Sequence, residues 1–205
     1  MPVRPLFPTF VYDAPLQPGA APAFNARLLR ECLQLRHDDR AGVAWSKQRY
    51  PGGYTSYGSV NRMQLFSPTF AALERKLARH VRSFARRLDF DLTSRTLAMT
   101  DCWVNIMPRL VAHAGHLHPL STISGTYYVR VPRGSPGLKF EDPRLERMMA
   151  APPPLAHARP ENRRWHVQDA IAGHVVLFES WLRHEVATNP AASERVSISF
   201  NYNWF

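Results

Sequence analysis

The sequence predicts a mainly β protein, an antiparallel sandwich or barrel with helices buttressing one face. Two observations lead there. Up to about Asp89 the apolar residues recur at steps of three and four, and beyond it at steps of two. Past that point Gly, Pro and Asn separate many short β-type segments with no helical pattern between them.

In chain order, Phe24, Leu28, Cys32 and Leu35 place a helix over residues 22–36. A longer helix follows Ser67-Pro68, an N-cap residue with proline at the first helical position. Its apolar stripe is Phe70, Leu73, Leu77, Val81, Phe84 and Leu88, and Arg and Lys occupy the opposite face. Between these helices, residues 45–62 (Trp45, Pro51-Gly52-Gly53, Tyr54, Tyr57, Gly58) read as loop or short strand. Strands are expected at Cys102–Ile106, Ser124–Val131, Leu138–Phe140, Trp165–Val167, His174–Phe178 and Arg195–Tyr202. The proline-rich stretch 143–164 is a long insertion of the kind that forms active-site lids or mobile regions.

A chain of 205 residues with 45% hydrophobic and 20% charged residues can bury a core without staples. Cys32 and Cys102 are too few for a disulfide framework and read as free thiols in a reducing compartment. No run approaches eighteen apolar residues, and the opening Met-Pro-Val-Arg-Pro-Leu-Phe-Pro lacks the apolar stretch of a secretory signal. These points predict a cytoplasmic protein with no membrane partner. The net charge of +10 would suit nucleic acid. It is concentrated, however: residues 27–88 hold 13 Lys and Arg against four acids. The segments expected to carry chemistry are close to neutral, so the excess reads as a solvated helix face.

The histidines cluster. His113, His116 and His118 follow a predicted strand, and His184 follows another. Two histidines at i and i+2 in extended backbone project to the same side, as a pair of metal ligands must. A third from a distant strand closes a triangular face and leaves the opposite positions open, the geometry of non-heme Fe(II) oxygenases. Aromatic packing alone would also accommodate a His-x-His pair. His113 reads as a neighbour of the cluster, and His37, His80 and His157 as surface residues. Eleven residues after His184, Arg195 and Ser197 face the same way on the last strand, a guanidinium and a hydroxyl suited to a carboxylate.

The order of these motifs resembles a known family. Trp103-x-Asn105, His116-x-His118-Pro119, Ser124-Gly125-Thr126-Tyr127-Tyr128-Val129 and Phe140-x-Asp142-Pro143-Arg144 come first. Gly173-x-Val175-Val176-Leu177-Phe178, Ser180-Trp181-Leu182-x-His184-x-Val186, Asn189 and Glu194-Arg195-Val196-Ser197-Ile198-Ser199-Phe200-Asn201 complete the set. Together they are similar to a small bacterial and phage family of 2-oxoglutarate–Fe(II) oxygenases, over most of the chain. The resemblance implies a double-stranded β-helix (jelly roll) core over 96–205, with 1–95 as its helical and loop buttress in one domain. It implies Fe(II) at His116, His118 and His184, with His118 standing where most of the wider superfamily has Asp or Glu. It further implies 2-oxoglutarate as cosubstrate, its distal carboxylate on Arg195 with help from Ser197 and from Tyr127 or Tyr128. Asn105 would contact cosubstrate or substrate, and Glu185 flanks His184 as an outer partner of the ligands, while Glu179, where the family more usually has proline, is given no role. The implied reaction is hydroxylation of a small molecule or peptide, with release of succinate and CO2.

Two rivals stay open at this level. A three-histidine dioxygenase without 2-oxoglutarate would explain the histidines but leave Arg195 and Ser197 unemployed. A basic nucleic-acid-binding protein on a jelly-roll scaffold would use Arg75 to Arg87 with Trp45, Tyr50, Tyr54 and Tyr57. A homodimer is compatible with either.

Overall fold

The computed structural model describes residues 3–19 and 22–205. The chain runs β1 (Val11–Pro15), α1 (Pro22–Asp38), α2 (Arg40–Arg49), β2 (Tyr54–Thr55), α3 (Met63–Phe66) and α4 (Pro68–Arg87). It continues through β3 (Leu97–Met107), β4 (His113–His116), β5 (Ile123–Arg130), β6 (Leu138–Glu141), β7 (Trp165–Gln168), β8 (His174–Glu179), β9 (His184–Val186) and β10 (Arg195–Trp204). No helix among the described residues is long and apolar enough to cross a membrane.

All pairings between named strands are antiparallel, in two sheets ordered β1-β8-β5-β10-β3-β2 and β4-β9-β6-β7. The period-2 pattern divides each central strand between two cores. On β10, Val196, Ile198, Phe200 and Tyr202 join Phe24, Leu28, Leu73, Leu77 and Phe84 from α1 and α4 in the larger core. Alternate residues face the smaller sheet, where Met107, Tyr128, Phe140 and Phe178 form a second core. The larger sheet therefore lies between helices and a second sheet, the layering of a jelly roll with a helical buttress. The strands on this face come so close that Gly125 has no room for a side chain. A Cβ there would lie 2.6 Å from Phe200 and 2.7 Å from the Val176 carbonyl.

Helix α4 begins as its sequence predicts: Ser67 accepts from the N–H groups of Thr69 and Phe70 at 3.1 and 3.3 Å. Its stripe from Phe70 to Phe84 is fully buried. The basic face is only partly solvated. Lys76 donates to Gln17 at 2.6 Å, Arg79 to the Leu16 carbonyl, and Arg87 lies 4.3 Å over the Phe10 ring. Three of its cations thus clamp the segment that leads through β1.

Three expectations are corrected. Residues 40–49 form a helix within the stretch read as loop from Trp45 onward, because Asp39 caps it by accepting from Gly42 N–H at 2.8 Å. His80 is buried: Tyr12 Oη lies 2.8 Å from its Nδ1, and its Nε2 faces the Leu16 carbonyl at 3.0 Å. The residues before 96 also do more than buttress, since β1 and β2 are the two edge strands of the larger sheet.

The insertion 143–164 joins β6 to β7 through two 3-10 turns, at Leu145–Met149 and Pro160–Asn162. Arg144 fixes its start with two bonds to the Asp142 carboxylate, at 2.9 and 2.8 Å.

Candidate metal centre and anion site

β4 is the strand that positions the histidines, and its backbone explains how. It pairs with β9 so that His116 lies opposite His184, while His113 lies opposite Val186. Three residues on β4 therefore span two on β9, which is a β-bulge. In a regular strand His113 and His116 would point to opposite faces. The bulge brings both rings to one face, stacked with centroids 4.6 Å apart at 23°. His118 follows the strand end, held by its backbone N–H on the Ser180 carbonyl at 3.0 Å. Asn189, fully buried, anchors the preceding loop by donating to the Met107 carbonyl at 3.0 Å.

His116, His118 and His184 converge, each offering one ring nitrogen, with all three nitrogens within 4.8 Å of one another. Every Nδ1 already has an acceptor: the Ala114 carbonyl for His116 (2.8 Å), Asn201 Oδ1 for His118 (2.7 Å) and the Leu182 carbonyl for His184 (2.9 Å). A carbonyl oxygen can only accept, so Nδ1 carries the proton and Nε2 keeps its lone pair. Burial is the main force holding these rings neutral. It pushes His184 down to about 3 and His118 to about 4, and lowers His116 as well. Burial also takes His113 to about 3. Neutral imidazoles aimed at one point fit a divalent metal ion.

A cavity of about 210 Å³ opens at His116 and His118 and is lined also by Trp103, Tyr57, Leu117 and Pro119. Aromatic rings line its wall outward from the centre: Trp103 is 5.7 Å from His118, Tyr57 5.1 Å from Trp103, and Trp45 6.2 Å from Tyr57. A larger hollow of about 440 Å³ on α1 and α2 is lined mostly by exposed side chains, far in sequence from the histidines.

Arg195 lies on the face of the larger sheet that turns toward the smaller one. It is 4% exposed and has no ion-pair partner among the described residues: its Nε has no hydrogen-bond partner there, Nη1 faces Met107 Sδ at 3.8 Å, and the guanidinium sits 4.9 Å over the Tyr128 ring. Its neighbour Glu194 is bonded instead to Arg36 and Arg130. The Arg195 charge acts on Tyr50 and His113, and the Tyr50 ring is 4.9 Å from that of His113. Tyr128 Oη and Asn105 Oδ1 are also buried without a hydrogen-bond partner. Ser197 is buried between them as the cross-strand partner of both Asn105 and Tyr128.

Of the residues singled out from sequence, the space between the two sheets gathers Asn105, Tyr128, Arg195 and Ser197 from the larger sheet and His116, His118 and His184 from the smaller sheet and the segment after β4. Tyr127 is not among them. It alternates to the other face of β5, packs in the helix-side core and donates its hydroxyl to Asn25. Glu185 is engaged by Lys139 at 2.7 Å, and the Leu182 carbonyl takes the place expected for it beside His184. Sequence reasoning gave Tyr50 a place only in the nucleic-acid reading, whereas it follows the end of α2 with its ring beside His113, and it gave Asn201 no role. No local pattern marks either one.

Residues 101–201 match the family model described as "Putative 2OG-Fe(II) oxygenase". No curated protein matches the chain. Among solved structures, a Pseudomonas putida prolyl-4-hydroxylase is 16% identical with a TM-score of 0.61, covering 95% of this chain and 93% of its own. HygX from Streptomyces hygroscopicus, solved with nickel and 2-oxoglutarate bound, is 13% identical with a TM-score of 0.62, covering 95% and 83%. An oxidoreductase of the 2OG-Fe(II) oxygenase family from Burkholderia pseudomallei is 21% identical with a TM-score of 0.47; the match covers 66% of this chain and 58% of that one. The matched segment, similar to the 2-oxoglutarate–Fe(II) oxygenase family, holds all three converging histidines and Arg195, and the chain has the double-stranded β-helix core of the solved structures it resembles.

Proposed function

We propose that this protein is an Fe(II)- and 2-oxoglutarate-dependent oxygenase that hydroxylates a small molecule or peptide. The observation that supports it best is a buried arginine, without an anion among the described residues, on the face of the larger sheet turned toward the smaller sheet, whose β4 and β9 bring three neutral histidines together. An uncompensated buried charge costs several kcal/mol, so Arg195 is most stable with a carboxylate beside it.

His116, His118 and His184 would hold the iron through Nε2. Arg195 would bind the distal carboxylate of 2-oxoglutarate, with Ser197 and the unpartnered Tyr128 hydroxyl completing that pocket. Asn105 Oδ1 is free to accept from cosubstrate or substrate. Bound together, iron and 2-oxoglutarate supply oxidation by O2: substrate C–H becomes C–OH while 2-oxoglutarate becomes succinate and CO2. The chain contributes orientation and water exclusion. Arg195 fixes the cosubstrate's reach toward the histidines, and the Trp103–Tyr57–Trp45 wall shields one side of the cavity where the substrate carbon must lie.

The test is anaerobic. Fe(II) is added to apoprotein and then 2-oxoglutarate, and a visible iron-to-ligand charge-transfer band is expected. Stoichiometric iron with no band on 2-oxoglutarate addition would overturn the proposal and favour a three-histidine oxygenase of another type.

A further inference from the structure

We infer that Asn201 is the positioning residue of this metal centre: it fixes His118 as an Nε2 ligand and links that ligand to the half-buried carboxylate of Asp101. The inference rests on the proposal above that His118 holds the metal. Of the three ligand imidazoles, His116 and His184 are oriented by backbone carbonyls, whereas His118 is oriented by a side chain. Its ligand geometry can therefore be changed by substitution without touching the ligand itself.

The hydrogen-bond directions around Asn201 are determined by chemistry. Its amide nitrogen faces Asp101 Oδ2 at 3.5 Å, and a carboxylate only accepts, so the nitrogen is the donor there. Oδ1 then accepts twice, from His118 Nδ1–H at 2.7 Å and from Ser124 Oγ–H at 2.8 Å. With its proton committed, Ser124 must accept from Ser180 Oγ–H at 2.7 Å. The Asp101 carboxylate is itself held by Thr100 (2.8 Å) and Asn61 (3.3 Å). A reversed amide would set its N–H2 against His118 Nδ1–H and its oxygen against Asp101, so a single orientation survives. A β-bulge in the β3–β10 pairing directly after Asn201 aims this side chain at the end of β4.

The chain of bonds also bears on charge. Three neutral imidazoles carry no negative charge to the metal, unlike a set that includes a carboxylate. Asp101 polarises the Asn201 amide, which in turn draws on His118 Nδ1–H and makes Nε2 a stronger donor.

The test reads Co(II) affinity by titration calorimetry and the Co(II) ligand-field spectrum, both without 2-oxoglutarate or turnover. Asn201→Ala should weaken Co(II) binding about 10–100-fold and alter the spectrum. Asn201→Asp combined with Asp101→Asn, which keeps an acceptor for His118 without setting two carboxylates against each other, should restore affinity to within about threefold of the parent. In a His118→Asp background the Asn201→Ala change should add no further loss, because the group it positions is gone. Full Co(II) affinity with an unchanged spectrum in Asn201→Ala overturns the inference. Should that variant not fold, long-range 1H–15N spectra of the parent apoprotein decide: a His118 ring protonated at Nε2 overturns it, and one protonated at Nδ1 supports it. If His118→Ala binds Co(II) as tightly as the parent, the three-histidine centre itself fails, whatever Asn201 does.

Discussion

Replacing Arg195 with methionine should move stability and cosubstrate binding in opposite directions. In the apoprotein the guanidinium is buried, and its compensation is the Tyr128 ring face and one methionine sulfur. A desolvated cation–π contact supplies about 2 kcal/mol, less than the several kcal/mol that burying the charge costs. An apolar side chain of similar length should therefore stabilise the apoprotein by about 1–2 kcal/mol, which for a chain of this size raises Tm by about 2–8 °C. The same change removes the partner of the 2-oxoglutarate carboxylate. Loss of one member of a buried charge pair costs about 2–5 kcal/mol, and 3 kcal/mol corresponds to a Kd weaker by about 150-fold. Calorimetric melts of the apoprotein give the first quantity, and titration of 2-oxoglutarate into Co(II)-loaded protein gives the second. A variant that melts lower and binds 2-oxoglutarate within threefold of the parent would refute the assignment of Arg195 as a cosubstrate anchor.

Further outcomes are expected. His184→Ala should reduce succinate formation, measured without an added prime substrate, to the rate seen without enzyme; turnover comparable to the parent would remove His184 from the metal centre. Acid should destabilise the apoprotein. Because burial holds His184 near 3 instead of its usual 6.5, below pH 6.5 the unfolded chain takes up a proton that the folded one refuses. Stability is then full above about pH 6.5 and falls as the pH drops toward 3, with a slope of about 1.4 kcal/mol per pH unit from His184 alone near pH 5. His113 and His118 act in the same direction, and denaturant titrations at pH 7, 6 and 5 that superimpose would contradict this. Gly125→Ala should destabilise by about 1–3 kcal/mol, since its Cβ would meet the Val176 carbonyl at 2.7 Å and backbone yields little. An unchanged Tm would show that β5 and β8 are less tightly packed than they stand here.

Local rules carried the reading far where the chemistry is local. The cap and stripe of α4 were legible because Ser67, Pro68 and the three-and-four spacing each act within a turn or two. The inward set of β10 was legible because alternation needs no partner: Arg195, Ser197, Ser199 and Asn201 share a face in any regular strand. His116 and His118 come together too, although His118 lies past the end of β4, where alternation does not fix its direction. Tyr127 and Tyr128 show the limit of that reasoning. Alternation separates them, yet it cannot say which of the two faces the helices.

The remainder depended on contacts distant in sequence. Stacking of His113 on His116 follows from a bulge that exists only where β4 meets β9. The proton position on His118 was set by Asn201, 83 positions away, whereas the acceptors of His116 and His184 lie only two residues off, at Ala114 and Leu182. That Arg195 has no counter-ion could not be read from a sequence in which Glu194 is its neighbour; the fold commits that glutamate to Arg36 and Arg130. By itself the sequence determined which residue types could do the chemistry and which share a strand face, because backbone periodicity imposes both. Only the tertiary structure decided which polar groups are left unsatisfied in the buried face, because a hydrogen bond or ion pair is a choice among partners that only folding brings together.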